Sequence, residues 1–233
     1  MSSLVLVRHG QASFNSGDYD RLSPRGREQS RLLARYWLAL GYRPDRVFLG
    51  PRKRHAQTWH EVAAVYEDRG LAVPEAKVLP ELDEHEAAKM VKAEMADGAG
   101  SPPGAEAGEI NLVREFKPYF RLYQDLTRRW VRGELIRPGF ESWTGFQRRV
   151  AEGMALVRQD SGRGERVAVF TSGGTASMAA GTALGLDLER ILEWSWFMYN
   201  AAQAEFRFTA NRLTLVSFNA VPHLASADLH TLV

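Results

Sequence analysis

Four short stretches of this chain bring together residue types suited to holding an anion. The apolar run Leu4 to Val7 stops at Arg8, His9 and Gly10, and Gly50-Pro51 is followed by three cations, Arg52-Lys53-Arg54. Leu82 precedes carboxylates at Asp83, Glu84 and Glu86, and the apolar run Val167 to Phe170 leads through Thr171 into Ser172-Gly173-Gly174. Cations at a helix start oppose the macrodipole, so the cluster at 52 to 54 calls for a counter-charge. A glycine turn between a buried strand and a helix aims backbone N–H groups at whatever sits there, an arrangement suited to phosphate. Taken singly, these stretches equally fit a strand end with a surface Arg-His pair, a solvated turn, or close strand–helix packing. Their agreement favours a phosphate-binding crevice.

Such a crevice needs elements that deliver all four stretches to one place. Leu4 to Val7 reads as a buried strand, and Ser23-Pro24 is an N-cap followed by a first-turn proline, opening a helix that Gly41 ends. Val47 to Leu49 reads as a second strand, with Trp59, Val62, Ala63 and Tyr66 on one face of the next helix, and Lys77 to Leu79 as a third. The alternation then breaks. Residues 86 to 97 form a charged helical piece, Gly98 to Gly108 a flexible loop, and Pro118 opens a helix with Tyr119, Phe120, Tyr123, Leu126 and Trp130 on one face. Trp143, Phe146, Val150, Met154 and Val157 mark another, and both aromatic stripes are read as core packing. Strand–turn–helix order resumes at Arg166, with a helix to about Leu184, a further helix from Asp187 to Phe197, and two alternating strands joined at Asn211. The expected fold class is α/β, a three-layer α/β/α sandwich with a mainly parallel sheet and an antiparallel edge. Residues 1–233 make a single domain in this reading, with a helical insertion at about 86–140 that caps the crevice. In such sheets ligands bind beyond the carboxyl ends of the strands, where Arg8 and His9 would stand.

Composition narrows the function classes. At 233 residues, 45% hydrophobic and 25% charged, the chain suits a globular fold. With no cysteine there is no disulfide framework, thiolate metal site or cysteine nucleophile. A net charge of +2 is too small to argue for nucleic acid. Neither a secretory leader nor a membrane-length apolar run is present, so the expected location is cytoplasmic and no membrane partner is expected. Apolar edge strands suit a homodimer.

On these residues the chain resembles the histidine phosphatase superfamily, the phosphoglycerate mutase-like fold, over nearly its whole length. The resemblance rests on Leu6-Val7-Arg8-His9-Gly10 with Asn15, and on Leu22-Ser23-Pro24-Arg25-Gly26. Gly50-Pro51-Arg52-Lys53-Arg54-His55-Ala56-Gln57-Thr58 matches a Ser-Pro-Leu-x-Arg-Ala-x-Gln-Thr motif at Pro51, Arg54, Gln57 and Thr58. Phe140-Glu141-Ser142 with Phe146 and Arg149 resembles a Gly-Glu-Ser segment, and Asn219 with His223-Leu224 resembles an Asn-x-x-x-His-Leu ending. The resemblance implies a phosphatase in which His9 is the nucleophile and becomes a phosphohistidine, Arg8 and Arg54 clamp the phosphoryl oxygens, and Glu84 is the general acid and base. Asp83 and Glu86 are its reserves. Asn15, Ser23, Ser172 and Gly173 would bind the substrate, a small phosphorylated molecule or a phosphoprotein, with no metal or other cofactor.

One departure stands out. Where the family pattern has Ser-His-Gly after the fourth strand, this chain reads Thr171-Ser172-Gly173, with Ser172 in the place of the second histidine. A hydroxyl donates one hydrogen bond but carries no charge. A phosphate-binding pseudoenzyme with little turnover is therefore the alternative, and a phosphomutase a more distant one. His55, His60 and His85 are the candidates to occupy the space left by that second histidine, each read first as a surface or packing histidine.

Overall fold

Why the chain folds around its first strand is clearest from side-chain alternation. The computed structural model describes residues 1–13, 20–97 and 112–232, with backbone alone over 112–118. Within β1 (Ser2–Arg8), Val5 and Val7 share a core cluster with Leu33, Trp37, Trp59, Tyr66, Ala168 and Phe170. Leu4 and Leu6, equally buried, point to the opposite face because strand side chains alternate. A strand buried on both faces must be central, and β1 is: it pairs in parallel with β4 (Arg166–Thr171) and antiparallel with β5 (Gln203–Thr209).

The full strand order is β3-β2-β4-β1-β5-β6, with β2 (Arg46–Leu49) and β3 (Ala76–Val78) parallel to β4, and β6 (Arg212–Ala220) antiparallel to β5. Six strands and seven helices are present among the described residues. The mixed sheet expected from sequence is thus observed, with the antiparallel hairpin at one edge. The third strand is shifted by one residue from its expected span and is not buried. Among the described residues it pairs only with β2, and Lys77 and Val78 are exposed there.

α1 (Pro24–Ala39) and α2 (Lys53–Glu67) cover the face bearing Val5, Val7, Val47, Leu49 and Phe170. Ser23 caps α1 by accepting from the Gly26 N–H at 3.0 Å, with Pro24 in the first turn. α6 (Gly173–Leu184) and α7 (Leu188–Trp196) pack on each other, and α6 also contacts β1 and β6. A Cβ added to Gly10 would lie 2.3 Å from the Gly26 carbonyl oxygen, and one on Gly26 would lie 2.2 Å from that of Gln11. Only two glycines allow this close approach, which presses the start of α1 against the turn after His9.

Two compact units divide the chain, one of residues 1–84 with 149–233, the other of residues 85–148. The second holds α3 (Ala87–Ala96), α4 (Leu112–Val131) and the start of α5 (Trp143–Arg158). Its core is aromatic: the His85 ring lies 5.7 Å from Trp130, 5.8 Å from Trp143 and 5.4 Å from Phe146. Arg137 ties Glu94 at 2.7 Å and Asp97 at 2.5 Å. Pro118 does not open α4, which begins at Leu112. Its fixed φ is helical, so a helix can pass through it at the loss of one backbone hydrogen bond. The expected loop from Gly98 to Gly108 lies outside the described residues.

Candidate active site

The His9 ring is held in one orientation by its own backbone. At the carboxyl end of β1, the His9 N–H donates to the Thr171 carbonyl at 2.9 Å, and the His9 carbonyl accepts from the Ala201 N–H at 3.1 Å. The ring is buried, with Nδ1 2.7 Å from the Gly10 carbonyl oxygen. A carbonyl only accepts, so Nδ1 carries the proton and Nε2 keeps a bare lone pair. Thr58 steadies this turn: its hydroxyl accepts from the Gly10 N–H at 3.1 Å and donates to the Arg54 carbonyl at 2.7 Å. Gln57 accepts from the Leu22 N–H at 2.8 Å. Burial, then the charges of Arg54 and Arg8, then His55, hold His9 well below its ordinary pKa, with the Gly10 carbonyl pulling the other way.

The two arginines expected to clamp a phosphoryl group are held differently. Arg54 is buried and forks between Asp20, at 2.8 Å from one terminal nitrogen, and Ser172, at 3.4 Å from the other. Asp20 also accepts the Lys53 N–H at 3.0 Å, and nothing in the sequence reading singled it out. Arg8 lies near enough to His9 to depress its pKa, yet its terminal nitrogens donate to the carbonyls of Met198 and, at 2.7 Å, Leu232. That backbone anchoring was not foreseen. Arg52 turns away to Asp83 at 2.5 Å, so Arg52 and Arg54 serve different carboxylates.

Glu84 stands at the start of α6, its carboxylate accepting the Gly174 N–H at 3.1 Å, where the helix dipole favours negative charge. The segment before it is fixed from three sides. Arg149 donates to the carbonyls of Glu81 at 3.1 Å and Asp83 at 2.9 Å; the Thr175 and Thr171 hydroxyls donate to the carbonyls of Asp83 at 2.8 Å and Leu82 at 2.6 Å. Of the two reserves, Asp83 is occupied by Arg52 and by the Glu84 N–H at 2.8 Å. Glu86 belongs to the other unit and pairs with Lys89 at 2.9 Å.

Ser172 is fully buried and Gly173 opens α6 beside Arg8. Ser23 is occupied by its cap and by the Gln11 side chain at 2.9 Å. Asn15 lies outside the described residues. Asn219 bridges the Tyr199 N–H and the Phe197 carbonyl, both at 2.8 Å, while His223 is buried near Tyr36 with neither ring nitrogen hydrogen-bonded. His60 is exposed and His85 packs among aromatics, as read from sequence. His55 is neither at the surface nor simply packing. It is fully buried, its Nε2 2.8 Å from the Ser172 hydroxyl and its ring 5.8 Å from that of His9. Its place directly after Arg54 in a helix entering the site was the signal available in the sequence.

A buried imidazole with a bare nitrogen, an arginine fork, a carboxylate and a helix N-terminus therefore meet at the ends of β1, β2 and β4. The family model of the histidine phosphatase superfamily (branch 1) matches residues 4–109 and 108–221, and the chain belongs to that superfamily. No curated protein matches the sequence. Among solved structures, it is similar to a phosphoserine phosphatase mutant from Entamoeba histolytica in complex with phosphoserine, with TM-score 0.63 at 18% identity over 96% of this chain and 100% of that one. A mycobacterial glucosyl-3-phosphoglycerate phosphatase is similar at TM-score 0.62 and 20% identity, over 94% and 99%. So is the alpha-ribazole phosphatase of Shigella flexneri, at 0.62 and 19%, over 94% and 96%. No described helix is long and apolar enough to cross a membrane.

Proposed function

We propose that this chain is a metal-independent phosphatase that hydrolyses a phosphomonoester through phospho-His9. The observation that carries the reading is the Nδ1 to Gly10 carbonyl contact, which leaves Nε2 of a buried, neutral imidazole bare beside Arg54. In the first step Nε2 attacks phosphorus, a P–N bond forms, the P–O bond to the leaving group breaks, and the Glu84 carboxylic acid gives its proton to the departing alkoxide. In the second, Glu84 takes a proton from water, the oxygen attacks phosphorus, and the P–N bond breaks to release phosphate and regenerate neutral His9. Arg54 neutralises the charge on the phosphoryl oxygens, a task for which a planar fork suits better than a point charge. Arg8 adds a second positive charge beside the imidazole. The solved phosphatases of the same fold support this reading.

Acid-quench labelling with a 32P aryl phosphate tests it. Label on His9, its loss in His9→Ala, and hydrolysis that survives EDTA are expected. A folded protein that takes no label overturns the covalent mechanism. Ser172 favours one competing reading, binding without turnover, which predicts phosphate or vanadate binding with no burst of released alcohol.

A further inference from the structure

Among the positions that depart from the motifs this chain otherwise matches are glycine at 50 for serine, histidine at 55 for alanine, and serine at 172 for histidine. The fold brings all three into contact. His55 Nε2 is 2.8 Å from Ser172 Oγ, and a Cβ added to Gly50 would lie 2.4 Å from His55 Nδ1 and 2.6 Å from the Leu82 carbonyl oxygen. Any side chain at 50 would evict the imidazole, so the glycine is the condition for its presence. A second imidazole built from position 172 would need space the His55 ring already fills, in an interior that does not yield. An independent observation concerns the hydroxyl itself. Ser172 is the N-cap of α6, where serine ordinarily accepts an N–H of the first turn, yet it makes no such bond. It is turned to His55 and Arg54 instead.

We propose that His55 is a positioning residue for the phosphoryl site, the second imidazole of the family pattern moved from the end of β4 to α2 and acting through Ser172. This rests on the reading of His9 as the centre of a phosphoryl site. A hydroxyl has two lone pairs and one hydrogen. Arg54 is directed at one lone pair; with the ring proton on Nε2, His55 occupies the other, and the Ser172 hydrogen turns toward a phosphoryl oxygen on His9. Were Nε2 the acceptor, a serine lone pair would face the anion. Burial, followed by Arg54, holds His55 below its ordinary pKa against the opposing pull of the Gly50 backbone, so the pair contributes an oriented dipole.

The test is a cycle of variants with thermal melts to establish folding. His55→Ala and Ser172→Ala are each expected to lower kcat/KM for an aryl phosphate by about 10²-fold, the scale of one lost oxyanion donor. Because His55 acts only through Ser172, the double alanine variant should lose no more than about threefold beyond either single one. His55→Ala with Ser172→His should recover most of the activity, whereas Ser172→His beside an intact His55 should not raise it. Inhibition by vanadate, which mimics the transition state, should weaken about tenfold in His55→Ala while inhibition by phosphate stays within about threefold; a merely structural role would move both alike. Wild-type kinetics in His55→Ala, additive losses, or a gain from Ser172→His alone would each overturn the proposal. Should His55→Ala fail to fold, His55→Gln, which keeps an N–H, is compared with His55→Leu, which does not, and equal behaviour of the two overturns it. Should the wild type neither hydrolyse the ester nor take label, the phosphatase reading falls by itself. Vanadate binding then decides this one: weaker in His55→Ala supports it, unchanged overturns it.

Discussion

An imidazole attacks phosphorus only while one of its nitrogens is bare, and a buried one between two guanidinium groups stays bare far into acid. For His9 the order of causes matters: burial comes first, the Arg54 charge second. Arg54→Gln removes only the second, so the His9 ring, followed by NMR, should still titrate below 6.5 but higher than in the wild type. The acid limb of kcat/KM should move up with it, because a depressed pKa keeps the nucleophile active until pH falls through that value. An unmoved titration would mean that Arg54 does not act on His9 through its charge. At this scale the sequence showed which residues meet but not how each is held. His9, Arg54 and Glu84 were legible because strand ends and helix starts announce themselves. The Arg8 anchors were not, since Met198 and Leu232 lie 190 and 224 residues away and nothing local encodes them. His55 could not be told from His60 and His85 for the same reason, its partner being 117 residues distant.

Among the elements, strands and helices followed apolar period and caps closely enough that β1, α1, α2, α6 and the final hairpin were readable in advance. Pro118 misled because a proline marks a helix start more often than it sits inside one. What period cannot show is how elements are tied to one another, and Gln29 on α1 is the clearest such tie. Fully buried, it accepts the Gln11 N–H at 2.8 Å and donates to the Leu229 carbonyl at 2.7 Å and the Thr231 hydroxyl at 3.0 Å. Thr231 passes the link to Asn200 at 2.8 Å, which reaches the His9 carbonyl at 3.4 Å. Gln29→Leu fits the space but strands these partners, at a cost of about 2–3 kcal/mol. A lowered midpoint in urea at unchanged slope is expected, together with reduced activity from a loosened His9 turn. A midpoint equal to wild type would show that the ties carry no net stability.

Over the whole molecule, three buried histidines, His9, His55 and His223, are held below their ordinary pKa, the last at about 4 by burial and the nearby His230. A depressed histidine is neutral when folded and takes up a proton on unfolding once pH is below 6.5, so stability falls as the solution is acidified from there. For His223 alone the loss between pH 6.5 and 4 amounts to about 3 kcal/mol. His223→Leu, which also removes two buried nitrogens without partners, should flatten this part of the stability curve and raise the melting temperature at pH 5 more than at pH 7.5. A parallel shift at both values would exclude the titration.

The Arg8 to Leu232 bond has a further consequence, one of timing. His9 and its neighbouring guanidinium leave the ribosome more than two hundred residues before the carbonyl that anchors Arg8. Central β1 must likewise wait for both its neighbours, β4 and β5. A nascent chain therefore carries His9 through the making of those two hundred residues without the surroundings that hold it, and the site is assembled only when β1 is joined by segments made much later.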